Sequence, residues 1–162
     1  MTGTPYFELS FRPNVALVSV IRRFVLEFYQ RFLGDADATS RVALATHELL
    51  ENAVKFSTDG ETTIRIEVRQ DVSPLVVDIE LRNRAEPANV AAMREILDGI
   101  ARAPDALVFY QQLLVKRAKV ASRSGGLGLA RICAEGEMHV SHRVVDGDIA
   151  VIQARTSVGG TR

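Results

Sequence analysis

The sequence predicts an α/β fold, more closely an α+β two-layer sandwich, built as one domain over residues 1–162. Three observations support this prediction. The chain is 47% hydrophobic, which is enough material for one well-formed core. Helical and strand-like patterns follow in the order β, α, α, β, β, α, α, β, β. Most strands are joined by hairpins, which predicts a mixed, mostly antiparallel sheet with the helices on one face.

The composition disfavours several classes of protein. Twenty Lys and Arg residues balance twenty Asp and Glu residues, so no general electrostatic attraction to nucleic acid or to an anionic membrane is expected. The single cysteine, Cys133, has no partner for an intramolecular disulfide. The N-terminus has no signal-peptide pattern, and no run of about eighteen apolar residues occurs. We therefore expect a cytoplasmic protein with no direct nucleic-acid or membrane partner.

A strand and a helix are predicted at the start of the chain. The segment YFELSF, residues 6–11, alternates in the manner of a short strand. A helical pattern follows, with Pro13 at a favourable first position and Gly34 as the C-terminal stop. Its apolar residues recur at steps of three and four. The core-facing stripe of this helix is thus assigned to Leu17, Ile21, Phe24, Phe28 and Phe32.

A second helix is predicted from about Ser40 to Phe56, with Asp37, Thr39 and Ser40 as candidate N-caps. Within it, THELLENAVKFS carries a line of polar residues, because positions four and seven apart share one side of a helix. That line consists of Glu48, Asn52 and Lys55. The neighbouring apolar stripe is formed by Leu44, Leu49, Ala53 and Phe56. The polar line therefore borders the core and opens into a cleft, or it is a solvated face with an ion pair between Glu51 and Lys55.

Two hairpins are predicted in the rest of the chain. ETTIRIEVRQ (61–70) and PLVVDIELRN (74–83) are alternating, β-branched runs separated by the turn DVSP. The C-terminal segment MHVSHRVVDGDIAVIQART (138–156) has the same character and turns at Asp146 and Gly147. These four runs supply most of the predicted sheet.

The stretch from Asn89 to about Lys119 has a helical pattern interrupted at Ala103 and Pro104. Two helices, or one helix and a mobile segment, fit this pattern. Its second apolar stripe either enters the core or docks a partner. That stripe consists of Leu107, Phe109, Tyr110, Leu113 and Leu114. The cations that follow either close over a triphosphate, bind an acidic partner, or form a solvated helix end. They are Lys116, Arg117, Lys119 and Arg123.

The segment SGGLGL, residues 124–129, precedes an apolar helical run. Backbone N–H groups of such a loop, together with a helix N-terminus, can bind phosphate oxygens. A Walker loop would end in Gly-Lys-Ser/Thr, which is missing here, and a dinucleotide fingerprint would follow a strand rather than VKRAKVASRS. A phosphate-binding loop of another kind, or glycines that only allow close packing, remain as interpretations.

Together, HELLENAVKFS and the later SGGLGL resemble the N box and the G2 box of the GHKL (Bergerat-fold) ATPases, in order as well as in content. The resemblance is nearest to the small anti-sigma factor serine kinases of the SpoIIAB and RsbW type and to SiaB-like regulators. It assigns the N box to about 46–57, a G1 region to about 78–87, a helical lid to about 88–123 and the G2 box to about 124–130. A sensor histidine kinase fits poorly, since no histidine-bearing dimerisation domain is expected and His47 is interpreted as an ordinary helix residue.

The resemblance also implies roles for individual residues. In the family the N-box acid activates the attacking group and the asparagine coordinates Mg²⁺, which implies Glu48 as the catalytic residue and Asn52 as the metal ligand of an ATP site. Their i,i+4 spacing offers a carboxylate and an amide oxygen on one helical face. Lys55, one turn on, is placed to reach phosphate. The full set of implied nucleotide-binding residues is Asn52, Lys55, Asn83, Ser124, Gly125, Gly126, Leu127, Gly128 and Leu129.

The G1 region, ELRNRAEPAN, departs from the family pattern. Asn83 stands where an adenine-binding aspartate is expected, and Ala85 where a glycine is expected. An asparagine oxygen still accepts a hydrogen bond from an amino group, but the side chain is uncharged, so adenine, another base or no base remain open. Asp78 lies earlier in the strand and is expected to face solvent or a neighbouring strand.

Two functions follow from these observations. The first is an ATP-binding anti-sigma-factor-type regulator of a bacterial partner-switching pathway, and a candidate serine/threonine kinase that uses Mg-ATP on a STAS-type antagonist. The second is a catalytically inactive module that sequesters a protein partner, such as that antagonist or a sigma factor, without nucleotide turnover. The N box favours the first and the altered G1 region the second. The resemblance implies a cytoplasmic homodimer in either case.

Overall fold

The computed structural model describes residues 3–119 and 126–159, the side chain of Asp59 excepted. These residues form five strands and five helices, which confirms the predicted α+β class. The described stretch after the first hairpin consists of two helices, as one of the two interpretations had it. The elements are β1 (Tyr6–Phe11), α1 (Val15–Leu33), α2 (Ala36–Phe56), β2 (Ser57–Arg69), β3 (Leu75–Ala85), α3 (Pro87–Arg102), α4 (Ala106–Lys119), α5 (Leu127–Ala134), β4 (His139–Val145) and β5 (Ile149–Val158).

The strands form one sheet in the order β1-β2-β3-β5-β4, and every pairing between described strands is antiparallel. In this register Ile64 of β2 lies opposite Leu81 of β3, which lies opposite Ile152 of β5. Directly opposite residues of a sheet share one face, so these side chains together build the inner, buried face. The predicted turn between β4 and β5 is confirmed, with positive φ at both Asp146 and Gly147.

The outer face of the sheet carries ion pairs between neighbouring strands. Asp78 accepts hydrogen bonds from Arg69 of β2, at 3.0 Å, and from Arg155 of β5. Its carboxylate therefore faces neighbouring strands, as expected, on the side of the sheet away from the helices. Asp78 is therefore not available to a site on the inner face of the sheet.

Helix α1 begins later than predicted. Asn14 is the N-cap, and its Oδ1 accepts a hydrogen bond from the Leu17 backbone N–H at 2.9 Å. Pro13 therefore lies before the helix, because an asparagine at the capping position satisfies a free N–H group that proline cannot. The predicted end of the helix is confirmed, since Gly34 adopts the left-handed conformation at φ 65°.

The fully buried face of α1 shares only Ile21 with the predicted stripe, although Leu17, Phe28 and Phe32 of that stripe are partly buried and pack against the core. Phe24 is 50% exposed, and its ring packs edge-on against Phe7 with a centroid distance of 4.9 Å. Apolar residues occupy two neighbouring stripes of this helix, so periodicity alone does not choose between them and packing on α2 and the sheet decides. The buried residues are Val18, Ile21, Val25, Tyr29 and Leu33.

Helix α2 begins earlier than predicted, at Ala36, because Asp35 is its N-cap and accepts a hydrogen bond from the Ala38 N–H at 2.8 Å. The three candidate caps Asp37, Thr39 and Ser40 are therefore residues within the helix. The left-handed Gly34 turns the chain at once, so the second helix begins with almost no linker. The residues of α2 that are buried against the core are Ala38, Thr39, Val42, Ala45, Thr46, Leu49, Leu50 and Ala53.

Helices α3 and α4 lie beside the core, against α5, and α3 also contacts the edge strand β4. Neither contributes a fully buried residue, although Met93 and Ile96 of α3 pack against the core from its rim. The two helices meet where the ring of Phe109 lies against Gly99, at a point where a β-carbon would be 2.6 Å from the ring. Among the described helices, none combines the length and the apolar character needed to cross a lipid bilayer.

Candidate functional site

A cavity of about 160 Å³ lies between the sheet and helices α2, α3 and α5. Strand residues such as Leu81 and Ile152 line it from the sheet, and Met93 lines it from α3. Its lining among the described residues includes no charged side chain. The polar side chains there are three amides, which belong to Asn52, Asn83 and Asn89. An apolar slot with a few amide groups suits a flat, uncharged heterocycle.

The N box and the glycine motif, about eighty residues apart in sequence, meet at one edge of this cavity. A β-carbon on Gly128 would lie 2.9 Å from Glu48 Oε2 and 3.5 Å from Asn52 Oδ1. A side chain here would force Glu48 or α5 to shift, because real β-carbons essentially never approach an atom closer than 3.0 Å. Glu48 and Asn52 are both partly buried. The structure thus brings the two predicted N-box residues together with the first turn of α5.

Gly126 is the N-cap of α5 and has φ 113°, a conformation that side-chain-bearing residues rarely adopt. A β-carbon here would lie 2.8 Å from Ile96 Cγ1 and 3.5 Å from Arg117 Nη2. Helices α3 and α4 therefore reach the glycine motif directly. Of the predicted cation cluster, Arg117 lies at this motif, whereas Lys116 and Lys119 are exposed and Arg123 lies outside the described residues.

A charged side chain that is not among the predicted site residues holds Glu48 in place. Arg131 of α5 donates from Nη1 to Glu48 Oε1 at 2.9 Å and from Nε to Glu135 Oε2 at 2.7 Å. The hydrogen bond to Glu135, followed by that to Glu48, raises the pKa of Arg131 above its usual value. One carboxylate oxygen of Glu48 is engaged in this way, and the other faces Gly128.

Tyr110 of α4 lies in the same electrostatic environment. Its burial is the main cause of a raised pKa for the phenol, and the charge of Glu135 acts in the same direction. The only sequence signal for the cluster of Arg131, Glu135 and Glu48 is the i,i+4 spacing of Arg131 and Glu135. Such pairs are common on solvated helices. Nothing local links either residue to Glu48, so the cluster emerges only from the folded chain.

Asn83 lines the cavity from the sheet and is only 7% exposed. Its Nδ2 donates a hydrogen bond to the Arg84 carbonyl oxygen at 3.3 Å. Opposite it in the register of β2 and β3 is Thr62, whose Oγ1 is buried and has no hydrogen-bond partner among the described residues. Ala85, the other departure from the G1 pattern, also lines the cavity. Asn83 and Ala85 of the G1 region thus both lie at the cavity.

The remaining predicted site residues divide into three groups. Leu129 is buried and belongs to the cavity wall. Leu127, the first residue of α5, is partly buried, and Lys55 is exposed at the end of α2; neither is among the described wall residues. Ser124 and Gly125 lie outside the described residues. Binding roles for all of these residues stay predictions.

The donor set near the glycine motif suits a magnesium ion bound chiefly by a nucleotide. Among residues 3–119 and 126–159, no cluster of three His, Cys, Asp or Glu side chains could hold a metal alone. Mg²⁺ in such sites keeps several waters and takes its other ligands from phosphates and one or two protein oxygens. The single amide oxygen of Asn52, beside Gly128, fits that requirement.

Residues 11–132 match the family model of the histidine kinase-like ATPase domain, so the chain belongs to this family. The predicted resemblance to the GHKL ATPases is thereby confirmed. The fold is similar to that of a chain in the crystal structure of the SiaB–SiaC complex from Pseudomonas aeruginosa, with a TM-score of 0.65 and 14% identity over 94% of this chain and 89% of that chain. No curated protein sequence matches the chain. Membership of an ATPase family supports nucleotide binding as the role of the cavity.

Proposed function

We propose that the chain binds Mg-ATP and acts as an anti-sigma-factor-type regulator in a partner-switching pathway. The observation that carries this proposal is the contact of Gly128 with Glu48 and Asn52 at the edge of an uncharged cavity. A bound nucleotide would place its base in the cavity and its phosphates at the glycine motif. The family match over residues 11–132 supports the same location.

The proposed chemistry is transfer of the γ-phosphoryl group to a serine or threonine hydroxyl. Asn52 would hold Mg²⁺, and the ion would supply neutralisation of the charge that develops on the phosphates. Glu48 receives the proton of the acceptor hydroxyl at Oε2, since Oε1 is engaged by Arg131. The backbone N–H groups at the start of α5, next to Glu48 and Asn52, would bind the phosphates.

The proposed partner is a small antagonist protein of the STAS type, a sigma factor, or both in turn. A related fold occurs in a complex between two proteins, SiaB and SiaC, which supports a protein partner here. The proposed assembly is a cytoplasmic homodimer, by resemblance to the anti-sigma factor kinases.

A second candidate function is a binding module without nucleotide turnover. Two observations favour it: the carboxylate of Glu48 is already engaged by an arginine, and the position of the expected adenine-binding aspartate is occupied by Asn83. In this alternative the same surface sequesters the protein partner, and nucleotide, if bound, is not consumed.

Calorimetric titration with ATP, with and without Mg²⁺, tests the proposal. We expect magnesium-dependent binding by the wild type and its loss in Asn52→Ala. Gln153→Ala, which removes an amide from the outer face of β5, is the matched control and should bind like the wild type. The absence of binding at millimolar ATP in a folded protein would contradict the proposal. Binding without phosphorylation of any co-expressed antagonist would favour the second candidate.

A further inference from the structure

The polar side chains lining the cavity among the described residues are amides, and an amide is the one neutral side-chain group that offers a donor and an acceptor side by side. Of the three, Asn52 lies at the glycine motif and so at the phosphate end. Asn83 extends from the sheet and is 93% removed from solvent, since it is 7% exposed. Asn89 of α3 is only partly buried, which leaves Asn83 as the buried amide placed to read the edge of a bound base.

Adenine and the 6-oxopurines present opposite hydrogen-bonding patterns at that edge. Adenine offers a donor at N6 and an acceptor at N1, whereas guanine and hypoxanthine offer an acceptor at O6 and a donor at N1–H. A carboxylate only accepts, so it would reject O6. The carboxamide of Asn83 matches either pattern, because a half-turn about its Cβ–Cγ bond exchanges Oδ1 and Nδ2.

The surroundings of Asn83 make this half-turn inexpensive. In the present orientation Nδ2 donates to the Arg84 carbonyl at 3.3 Å, which is long for an N–H···O bond. Thr62 lies directly opposite, 1% exposed, with an unpartnered Oγ1. Side chains at directly opposite positions have β-carbons about 4.5–5.5 Å apart. A hydroxyl both donates and accepts, so Thr62 can hydrogen-bond the amide in either orientation.

We infer that the site accepts 6-oxopurine nucleotides, such as guanosine triphosphate, as well as adenine nucleotides. This inference rests on the proposed nucleotide-binding function and names the substrate class of the same site. The half-turn exchanges one long hydrogen bond to the Arg84 carbonyl for a contact between two acceptor oxygens, while Thr62 remains available as a donor to the amide. We therefore expect the two classes to bind with affinities within about tenfold of each other.

Titration with Mg-ATP and with Mg-inosine triphosphate (ITP) tests the inference, because hypoxanthine differs from guanine by lacking the 2-amino group and so isolates the exchange at position 6. We expect dissociation constants within about tenfold of each other for the wild type. Asn83→Asp, which removes the donor, should weaken ITP binding by at least about tenfold and change ATP binding by less than about threefold. Thr62→Val, a variant without a new buried charge, removes a partner open to the amide in either orientation, so it should weaken both nucleotides and leave the ratio of their constants within about twofold.

The outcomes separate the inference from the function on which it rests. Wild-type protein that binds ATP more than about tenfold more tightly than ITP would overturn the inference and leave the proposed function standing. Equal loss of both nucleotides in Asn83→Asp, or a loss confined to one nucleotide in Thr62→Val, would also overturn it. Binding of neither nucleotide by the folded wild type would remove the proposed function together with the inference.

Discussion

Helices α1, α2 and α3 have similar apolar periodicity and α4 has a weaker one, yet α1 and α2 are packed very differently from α3 and α4. The first pair contributes five and eight buried residues, and the hydroxyl groups of Tyr29 and Thr46 form a 2.8 Å hydrogen bond between the two helices inside the core. The second pair contributes no fully buried residue. Amphipathic pattern alone therefore does not separate a scaffold helix from a helix that covers a site.

The difference has a functional meaning because α3 and α4 contact the glycine motif. Ile96 and Arg117 approach Gly126, and Met93 lines the cavity. Helices with few buried apolar contacts open at low free-energy cost, whereas core helices open only near global unfolding. We expect α3 and α4 to move as a cover over the cavity while α1, α2 and the sheet keep Asn52 and Asn83 fixed.

The largest expected effect contrasts one leucine from each region. Leu49→Ala in α2 removes a fully buried side chain and should lower the free energy of unfolding by about 2–5 kcal/mol. Leu114→Ala in α4, where the leucine is 42% exposed, should cost less than about 1 kcal/mol. Urea denaturation of both variants measures the contrast. Equal losses would show that the two helix pairs belong to one cooperative core and would break the comparison.

The second expected effect concerns the fit of Gly128 against the N box. Gly128→Ala introduces a β-carbon 2.9 Å from Glu48 Oε2, which forces Glu48 or α5 to shift. ATP affinity should fall by at least about tenfold. Gly99→Ala is the matched control, since its β-carbon would meet only the ring of Phe109 between α3 and α4. Calorimetry should show a smaller change there, and a loss greater than in Gly128→Ala would contradict the assigned phosphate end.

The third effect tests the role of Arg131 beside Glu48. Arg131→Gln leaves the carboxylate unpaired next to bound phosphates, so ATP affinity should fall by about threefold to tenfold. Stability should change by less than about 1 kcal/mol, because the pair is partly exposed and screened. In Glu48→Gln protein the same change at Arg131 should have almost no effect on affinity. An equal loss in both backgrounds would show that Arg131 acts independently of Glu48.

The smallest effect concerns Cys133 of α5, the helix that contacts α2 of the first pair and both helices of the second pair. Burial raises the pKa of its thiol to about 11, and a hydrogen bond from the Val140 backbone partly opposes this rise. At pH 8 the folded protein should therefore be alkylated about a hundredfold more slowly than the urea-unfolded chain. The thiol of the unfolded chain ionises at lower pH than the thiol of the folded protein. Its ionisation therefore lowers the free energy of unfolding as pH rises from about 9 to about 11. An alkylation rate that levels off by pH 9 would contradict the burial of this thiol.

Most elements of the fold were predictable from the sequence because their signals are local. The alternating runs predicted the strands, and Gly34 and the Asp146–Gly147 turn predicted two chain reversals. The buried face of α1 was not predictable, since two adjacent apolar stripes satisfy the same periodicity. The start of α2 was missed because several capping residues lie within six positions and only packing selects Asp35.

The candidate site was predictable in part. Glu48, Asn52 and the glycine motif carry a recognisable pattern, and the structure brings them together. Arg131 was not predictable as a partner of Glu48, because the two lie 83 residues apart and pair only in the folded chain. The unpartnered hydroxyl of Thr62 likewise follows from strand register, which a single sequence does not fix.

Amide hydrogen exchange of the wild type, with and without saturating Mg-ATP, tests most directly whether the nucleotide occupies the cavity between α2, α3 and α5. We predict slower exchange in α3, in the first turn of α5 and at the end of α2 near Asn52, with no change in the β4–β5 turn at Asp146 and Gly147. Protection confined to the outer face of the sheet, or no protection anywhere when calorimetry shows saturation, would contradict this location.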